Sequence, residues 1–399
     1  MRRLDLTKTQ AARSSTIRDI NRRIVLNYIR DREPISRADI ARVTELQRST
    51  VSTIVEELKT EGLIEEIGAG ASTGGRRPTM LRLRAASVTA VGVDITPSLT
   101  TIVTSDLVGR VLAREEFENS PRPDEMTGRV VERVRAAVSG EREGLIEGVG
   151  VSLPGLVDAG TGRGIYIPFF RWRDWAIAEE IEAATGLKAR VDNDANAAAL
   201  AELWFGRPEV SGARDFIMVL VSEGIGTGIV FDGQIYRGER GAAGEFGHMV
   251  VGQNAPVACS CGNLDCWEAF ASERAAVARY QRNTGEAVNV SSTRVCFNAL
   301  IDRAFGGEQA AIDALTETAH YLGVGISNLI VGLSPETVVV TGTITRAWPI
   351  IEPSLQETIQ RSIRRGLPSA RIVASTLKEP TLMGALGLVL ARKFGLAET

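Results

Sequence analysis

A chain of 399 residues, 44% hydrophobic and 24% charged, has ample material for buried cores and a length that points to two or three compact units. Its longest apolar stretches, such as 90–95 and 338–340, are strand-sized and far short of the roughly 18 residues of a membrane helix, so no membrane association is expected. The net charge of −3 hides an asymmetry, because residues 1–87 hold 17 Lys/Arg and 11 Asp/Glu while the remainder holds 29 and 38. A small basic segment joined to a large acidic one suits a DNA-binding head on a sensor body, and would equally suit a solvated basic tail.

Residues 1–15 are polar and basic with no apolar run, so no secretory signal is expected and the compartment is read as the reducing cytoplasm. Ile17, Ile20, Ile24, Val25 and Ile29 mark the buried stripe of a helix over about 16–31. Ser36-Arg-Ala-Asp39 resembles a capping box and opens a short helix through Arg42. Val51, Ile54, Val55 and Leu58, spaced i, i+3, i+4, i+7, make a third helix that Gly62 ends, although Gln47 stands where a Ser or Asn cap is usual. Two short strands, 63–67 and 79–84, flank a Gly-rich loop ending in Arg76-Arg77, and the whole reads as a winged helix-turn-helix. Arg48, Ser49, Thr50, Ser52 and Thr53 are donors suited to the major groove, and Arg76 and Arg77 suit phosphates or a narrow minor groove. A helical protein-interaction module with a polar face is the plainer alternative.

Strands are expected at 90–95, 100–105, 111–115, 148–153, 216–221 and 337–340, with helices at 126–139 and 175–185. Strands broken by helices, with two fresh strand runs, give an α/β protein of two similar lobes. Between positions 245 and 268 lie one of only two histidines and three of only four cysteines: Glu245-Phe-Gly-His248, then Cys259-Ser-Cys261 and Cys266-Trp-Glu268. One imidazole and three thiolates complete a closed tetrahedral shell, so His248, Cys259, Cys261 and Cys266 point to one structural zinc per chain. Buried free thiols or disulfides are the alternatives.

Gly224-Ile-Gly-Thr-Gly228 with Gly238, Gly241 and Gly244-Glu-Phe-Gly-His248, the cysteines that follow, and Val191-Asp-Asn193-Asp194-Ala-Asn196 together resemble the family of bacterial repressors, open-reading-frame proteins and sugar kinases, the ROK family. The resemblance covers 88–399, and the winged helix is what the family's regulators add. It implies a winged helix-turn-helix domain over 1–86 and a two-lobed, actin-like sugar-kinase fold over 88–399 with a terminal helix near 381–394. It further implies a homo-oligomer, dimer or tetramer, that binds operator DNA. Asn193, Asp194, Glu245, His248 and Glu268 fall on the family's sugar-contacting positions, so a monosaccharide or sugar-derivative effector is expected; Asn193 and Asp194 could instead simply cap a helix near Asn196. In the family's kinases the residue matching Asp194 is the general base.

The loops that hold phosphates in those kinases are altered. The first reads Asp94-Ile-Thr96-Pro97-Ser98-Leu99 in place of small residues and Thr, and Pro97 removes an N–H. The second reads Ser222-Glu223-Gly224, setting a carboxylate where a hydroxyl would meet the phosphates, and the third reads Thr341-Gly342-Thr343. A sugar-responsive repressor of carbohydrate genes without kinase activity is therefore expected. A hexose kinase with an accessory head is the alternative, and a partner protein as effector is a further one. Arg171, where relatives carry a different residue, faces either the pocket or solvent.

Overall fold

The computed structural model describes residues 14–70, 77–139, 145–207, 210, 212–285, 293–363, 366 and 369–394. The head comprises α1 (Ser14–Arg32), β1 (Ile35–Ser36), α2 (Arg37–Thr44), α3 (Arg48–Thr60), β2 (Ile64–Ala69) and β3 (Thr79–Leu83). Ser36 caps α2 by accepting from the Asp39 N–H at 3.2 Å, as its capping box implies. Gln47 is indeed the N-cap of α3 and makes no side-chain bond, so the first amides of that helix are open. Val51, Ile54, Val55 and Leu58 are all buried, against Val25, Leu26, Ile29 and Leu81. The wing sheet has three strands, in the order β1-β3-β2, the short β1 being one that no local pattern announces.

Two expectations are corrected in these elements. Ile17 and Ile20 are half exposed, at 51% and 50%, while Leu26 joins the core instead. Trp175 ends a strand and does not begin a helix, because it closes a small sheet against Gly164. Arg76 lies outside the described residues; Arg77 is exposed just before β3.

The body holds two five-stranded sheets of matching topology. The first lobe contains β4 (Val88–Ile95), β5 (Leu99–Asp106), β6 (Val111–Glu118), α4 (Pro123–Ser139), β7 (Leu145–Leu153), a small sheet of β8 (Leu156–Asp158), β9 (Arg163–Ile167) and β10 (Trp172–Trp175), then α5 (Ile177–Thr185), β11 (Ala189–Asn193) and α6 (Asp194–Phe205). Its main sheet runs β11-β7-β4-β5-β6. The second lobe contains β12 (Phe216–Val221), β13 (Ile225–Phe231), β14 (Gln234–Ile235), α7 (Trp267–Ala271), α8 (Glu273–Thr284), α9 (Thr293–Phe305), α10 (Gln309–Leu333), β15 (Thr337–Thr341), α11 (Trp348–Ser362) and β16 (Arg371–Ala374). Its sheet runs β14-β13-β12-β15-β16.

In each sheet the first strand is central, two antiparallel strands follow on one side and two parallel strands on the other. This duplication is the actin-like arrangement. All six residues of β12, Phe-Ile-Met-Val-Leu-Val, are buried, as a strand covered on both faces requires. The last helix, α12 (Pro380–Phe394), returns to the first lobe and lies along α6, β4 and β7. No described helix is long and apolar enough to cross a membrane.

Candidate functional site

The donor atoms of His248, Cys259, Cys261 and Cys266 all lie within 4.8 Å of one another, the one convergent group of this kind among the described residues. His248 ends a short 3-10 turn, Glu245–His248, and the cysteines come from the loop leading into α7. His248 Nδ1 is 3.3 Å from Cys259 Sγ; the Cys259 and Cys261 sulfurs are 3.1 Å apart, and those of Cys261 and Cys266 3.9 Å. A tetrahedral metal with bonds of about 2.3 Å to sulfur has edges of about 3.8 Å, so the cage is of the right size. Burial pushes the Cys259 and Cys266 thiols up, and a bound cation is what makes thiolates favourable there. With a metal held by these four groups, no position would stay open for substrate.

The cage borders a group of polar side chains, which we term the cleft. With Nδ1 turned to the sulfurs, the other His248 nitrogen, Nε2, sits 3.4 Å from Glu245 Oε2. Glu268, in the first turn of α7, is buried; its Oε1 accepts from the Ser260 N–H at 3.0 Å and hydroxyl at 2.8 Å and lies 3.1 Å from Cys259 Sγ. Its other oxygen faces Gly224, where a Cβ would stand only 2.7 Å away, and a Cβ on Gly226 would stand 3.6 Å from Asp194 Oδ1. These two glycines therefore leave the strand edge open between Glu268 and Asp194. Metal cage and cleft carboxylates are held by one loop system.

Asn193 and Asp194 start α6. Asn193 is its N-cap, accepting from Ala195 N–H at 2.8 Å and Asn196 N–H at 3.3 Å, and its Nδ2 donates to Gly155 O at 2.9 Å. The capping role is thus real for Asn193. Asp194 has its pKa pushed up to about 7, by burial first and then by the carboxylates of Asp94 and Glu245. Asp94, at the end of β4, is pushed up to about 6 by burial, against a 2.8 Å hydrogen bond from Thr381. Several carboxylates crowded together in this way favour a ligand that donates hydrogen bonds, as a polyol does.

Two arginines of the cleft were missed from sequence. Arg237, past β14, places Nε 2.9 Å and Nη2 2.8 Å from Oδ2 of the buried Asp192, tying the loop before Glu245 to the strand before Asn193. Arg274 donates from Nε to Glu223 O at 2.7 Å, lies 3.7 Å from Glu268 Oε1 and sits 5.9 Å over the Phe169 ring. Phe169 in turn is 3.9 Å from the Cβ position of Gly224. Arg171 is exposed, with φ of +57° in the turn before β10.

In the head, Arg48, Ser49, Ser52 and Thr53 are exposed along one side of α3 and Thr50 is half-buried. Thr53 Oγ1 donates back to Ser49 O at 3.1 Å. Farther along that face, Glu56 is ion-paired with Arg37 and with Lys59, which blunts its charge.

Comparison with known proteins places the chain. The ROK family model matches residues 90–392 and the MarR family model residues 20–77. The chain is 30% identical over 389 residues to the xylose repressor of Caldicellulosiruptor bescii, spanning 94% of this chain and 96% of that protein. It is 29% identical over 391 residues to the DNA-binding transcriptional dual regulator NagC of Escherichia coli K12, spanning 96% and 95%. Among solved structures it resembles a ROK family transcriptional regulator homologous to the E. coli MLC protein, with 27% identity, a TM-score of 0.78 and coverage of 95% and 97%. It also resembles a ROK family glucokinase from Streptomyces griseus in complex with glucose and AMPPNP, with 28% identity and a TM-score of 0.65 over 75% of this chain and 99% of that one. The regulators match nearly the whole chain, head included, and the glucokinase a share the size of the body. Duplicated lobes, cysteine cage and family match agree, and the chain belongs to the ROK family.

Proposed function

We propose that the protein is a sugar-responsive transcription repressor of carbohydrate uptake or catabolism genes. In this reading residues 1–86 bind operator DNA and residues 88–399 bind a monosaccharide or a derivative of one. The observation that carries it is the joining, in one chain, of an exposed hydroxyl- and arginine-bearing helix to a cleft where Asp194, Glu245, His248 and Glu268 meet. Relatives named xylose repressor and N-acetylglucosamine repressor support it. Arg48, Ser49, Thr50, Ser52 and Thr53 would meet base edges, and Arg76 and Arg77 the backbone. Asn193, Asp194, Glu245, His248 and Glu268 would accept from and donate to sugar hydroxyls. The metal is zinc, one per chain, and its work is structural: it holds His248 and Glu268 in place. A dimer or tetramer would present two heads to paired half-sites.

One observation favours a sugar kinase instead: a pKa of about 7 suits Asp194 to a general base. The phosphate side of the cleft weighs against it. The β4–β5 turn closes on itself, Thr96 N–H donating to Leu99 O at 2.9 Å and Leu99 N–H to Thr96 Oγ1 at 3.1 Å, and Pro97 has no N–H to offer. Burial raises the pKa of Glu223 and pushes that of Glu273 up to about 7, the two carboxylates repelling one another. A polyphosphate would meet carboxylates in place of a cradle of donors.

The test is a gel shift on DNA flanking the protein's own gene, with D-xylose, N-acetylglucosamine and D-glucose, beside an ATP-turnover assay. One sugar is expected to weaken the shift with no turnover above background. Sugar-dependent ATP turnover that Asp194→Asn abolishes would establish the kinase.

A further inference from the structure

The cleft and the head are joined by α6. Asn193 and Asp194 sit at the first turn of α6, and Trp204 is its penultimate residue, so a rod of about 18 Å separates the two ends. Every residue from Ala195 to Glu202 is buried. On one side a Cβ on Gly228 of β13 would fall 2.5 Å from Ala195 O and 2.8 Å from Ala199 Cβ; on the other, a Cβ on Gly384 of α12 would fall 1.9 Å from Ala197 O. Backbone packed this closely on both flanks leaves α6 no room to bend or tilt, and displacement at one end is shared by the other.

The far end meets the head at α1. The guanidinium carbon of Arg30, on α1, lies 4.6 Å from the Trp204 ring centroid and 4.9 Å from that of Phe394, the last residue of α12. The two rings are 5.1 Å apart, and Asn27, one turn earlier on α1, donates to Phe394 O at 2.7 Å. The other end of α12 is held at the cleft by Thr381 on Asp94 and by Glu379 on Arg114. Both helices that start at the cleft thus end under Arg30.

We propose that α6 carries effector occupancy from Asp194 to the head and that Arg30 is the positioning residue that receives it. The proposal rests on the sugar-responsive reading. A planar cation held on two aromatic faces is sensitive to small ring displacements, and a lysine cannot reproduce it. Shifting the rings re-aims α1, and with it the reading helix packed on α1.

The experiment uses the full chain and two readouts: operator affinity with and without sugar, and hydrogen–deuterium exchange over 193–205 and over 21–32. D-xylose, N-acetylglucosamine and D-glucose are the probes. In the wild type, the effective sugar is expected to alter exchange in both segments. In Arg30→Ala, sugar affinity by calorimetry should stay within about twofold and sugar-free operator affinity within about threefold. The sugar effect on operator affinity should fall about tenfold, with the change at 21–32 lost and that at 193–205 kept. Arg30→Lys should fall between the two. A wild-type change at 193–205 without one at 21–32, or an Arg30→Ala variant with the full sugar effect, overturns the relay alone. Loss of sugar-free operator binding in both Arg30 variants also overturns it, since the residue would then hold the head together and not inform it. No change in either segment with any of the three sugars removes the sugar-responsive reading and the relay with it.

Discussion

At the scale of single residues, Asp194 carries the clearest electrostatic signature. Its carboxyl stays protonated up to about pH 7 in the fold, against 3.8 for a free aspartate. Between those values the native state binds a proton that the unfolded chain has already released, so stability falls as pH rises through the window. Asp94, pushed up to about 6, acts in the same direction. Asp194→Asn should therefore gain stability relative to wild type between pH 5 and about 7.5, read as melting temperatures across that range; parallel curves for the two proteins would sink the assignment. For the cage, metal-replete Cys261→Ser should lose its zinc by elemental analysis, and a full complement of metal in that variant would remove Cys261 from the ligand set. On the wing, Arg77→Ala should weaken operator binding and reduce the slope of log affinity against log salt by about 1, the mark of one lost phosphate contact. An unchanged slope would take Arg77 off the DNA.

Among elements, the segment between β14 and His248 is held by a partner distant in sequence. Arg237 supplies both its hydrogen bonds to Oδ2 of Asp192, whose Oδ1 is already taken by Asn193 N–H at 2.8 Å and Asn196 Nδ2 at 3.0 Å. Removing the arginine leaves a buried carboxylate half satisfied. Arg237→Ala should cost about 3 kcal/mol by urea melt, the lower end for a broken buried pair because the guanidinium itself is partly solvated. Sugar affinity should fall with it, since Glu245 and His248 follow in the same segment. A variant as stable as wild type would mean that the pair is a bystander.

The molecule as a whole is not a head tethered to a body by a free linker. Val25, Leu26 and Ile29 of α1 share one continuous apolar cluster with Leu382, Leu386, Leu390 and Phe394 of α12. Such a shared core makes head and body one cooperative unit. Phe394→Ala, which leaves a cavity between Trp204 and Arg30, should cost about 3–5 kcal/mol and split a single calorimetric transition into two. One sharp transition at the wild-type temperature in the variant would show that Phe394 does not couple head to body, and two transitions already in the wild type would show that the head melts independently.

Local periodicity was enough for the elements whose partners lie nearby in sequence. The i, i+3, i+4, i+7 spacing of Val51, Ile54, Val55 and Leu58 and the unbroken apolar run of β12 both correspond to buried elements, and the soft-ligand set of His248, Cys259, Cys261 and Cys266 converges as its spacing implies. Chemistry of that kind is written in residue type and separation. What the sequence could not carry is burial that depends on what stands opposite: Ile17 and Ile20 keep the helical stripe yet stay half exposed. Nor could it pair Arg237 with Asp192 across 45 positions, or Asn27 with Phe394 across 367, because no local rule links residues that only tertiary packing brings together. Ligand identity at a metal is a property of side chains, and the route between two sites is a property of the fold.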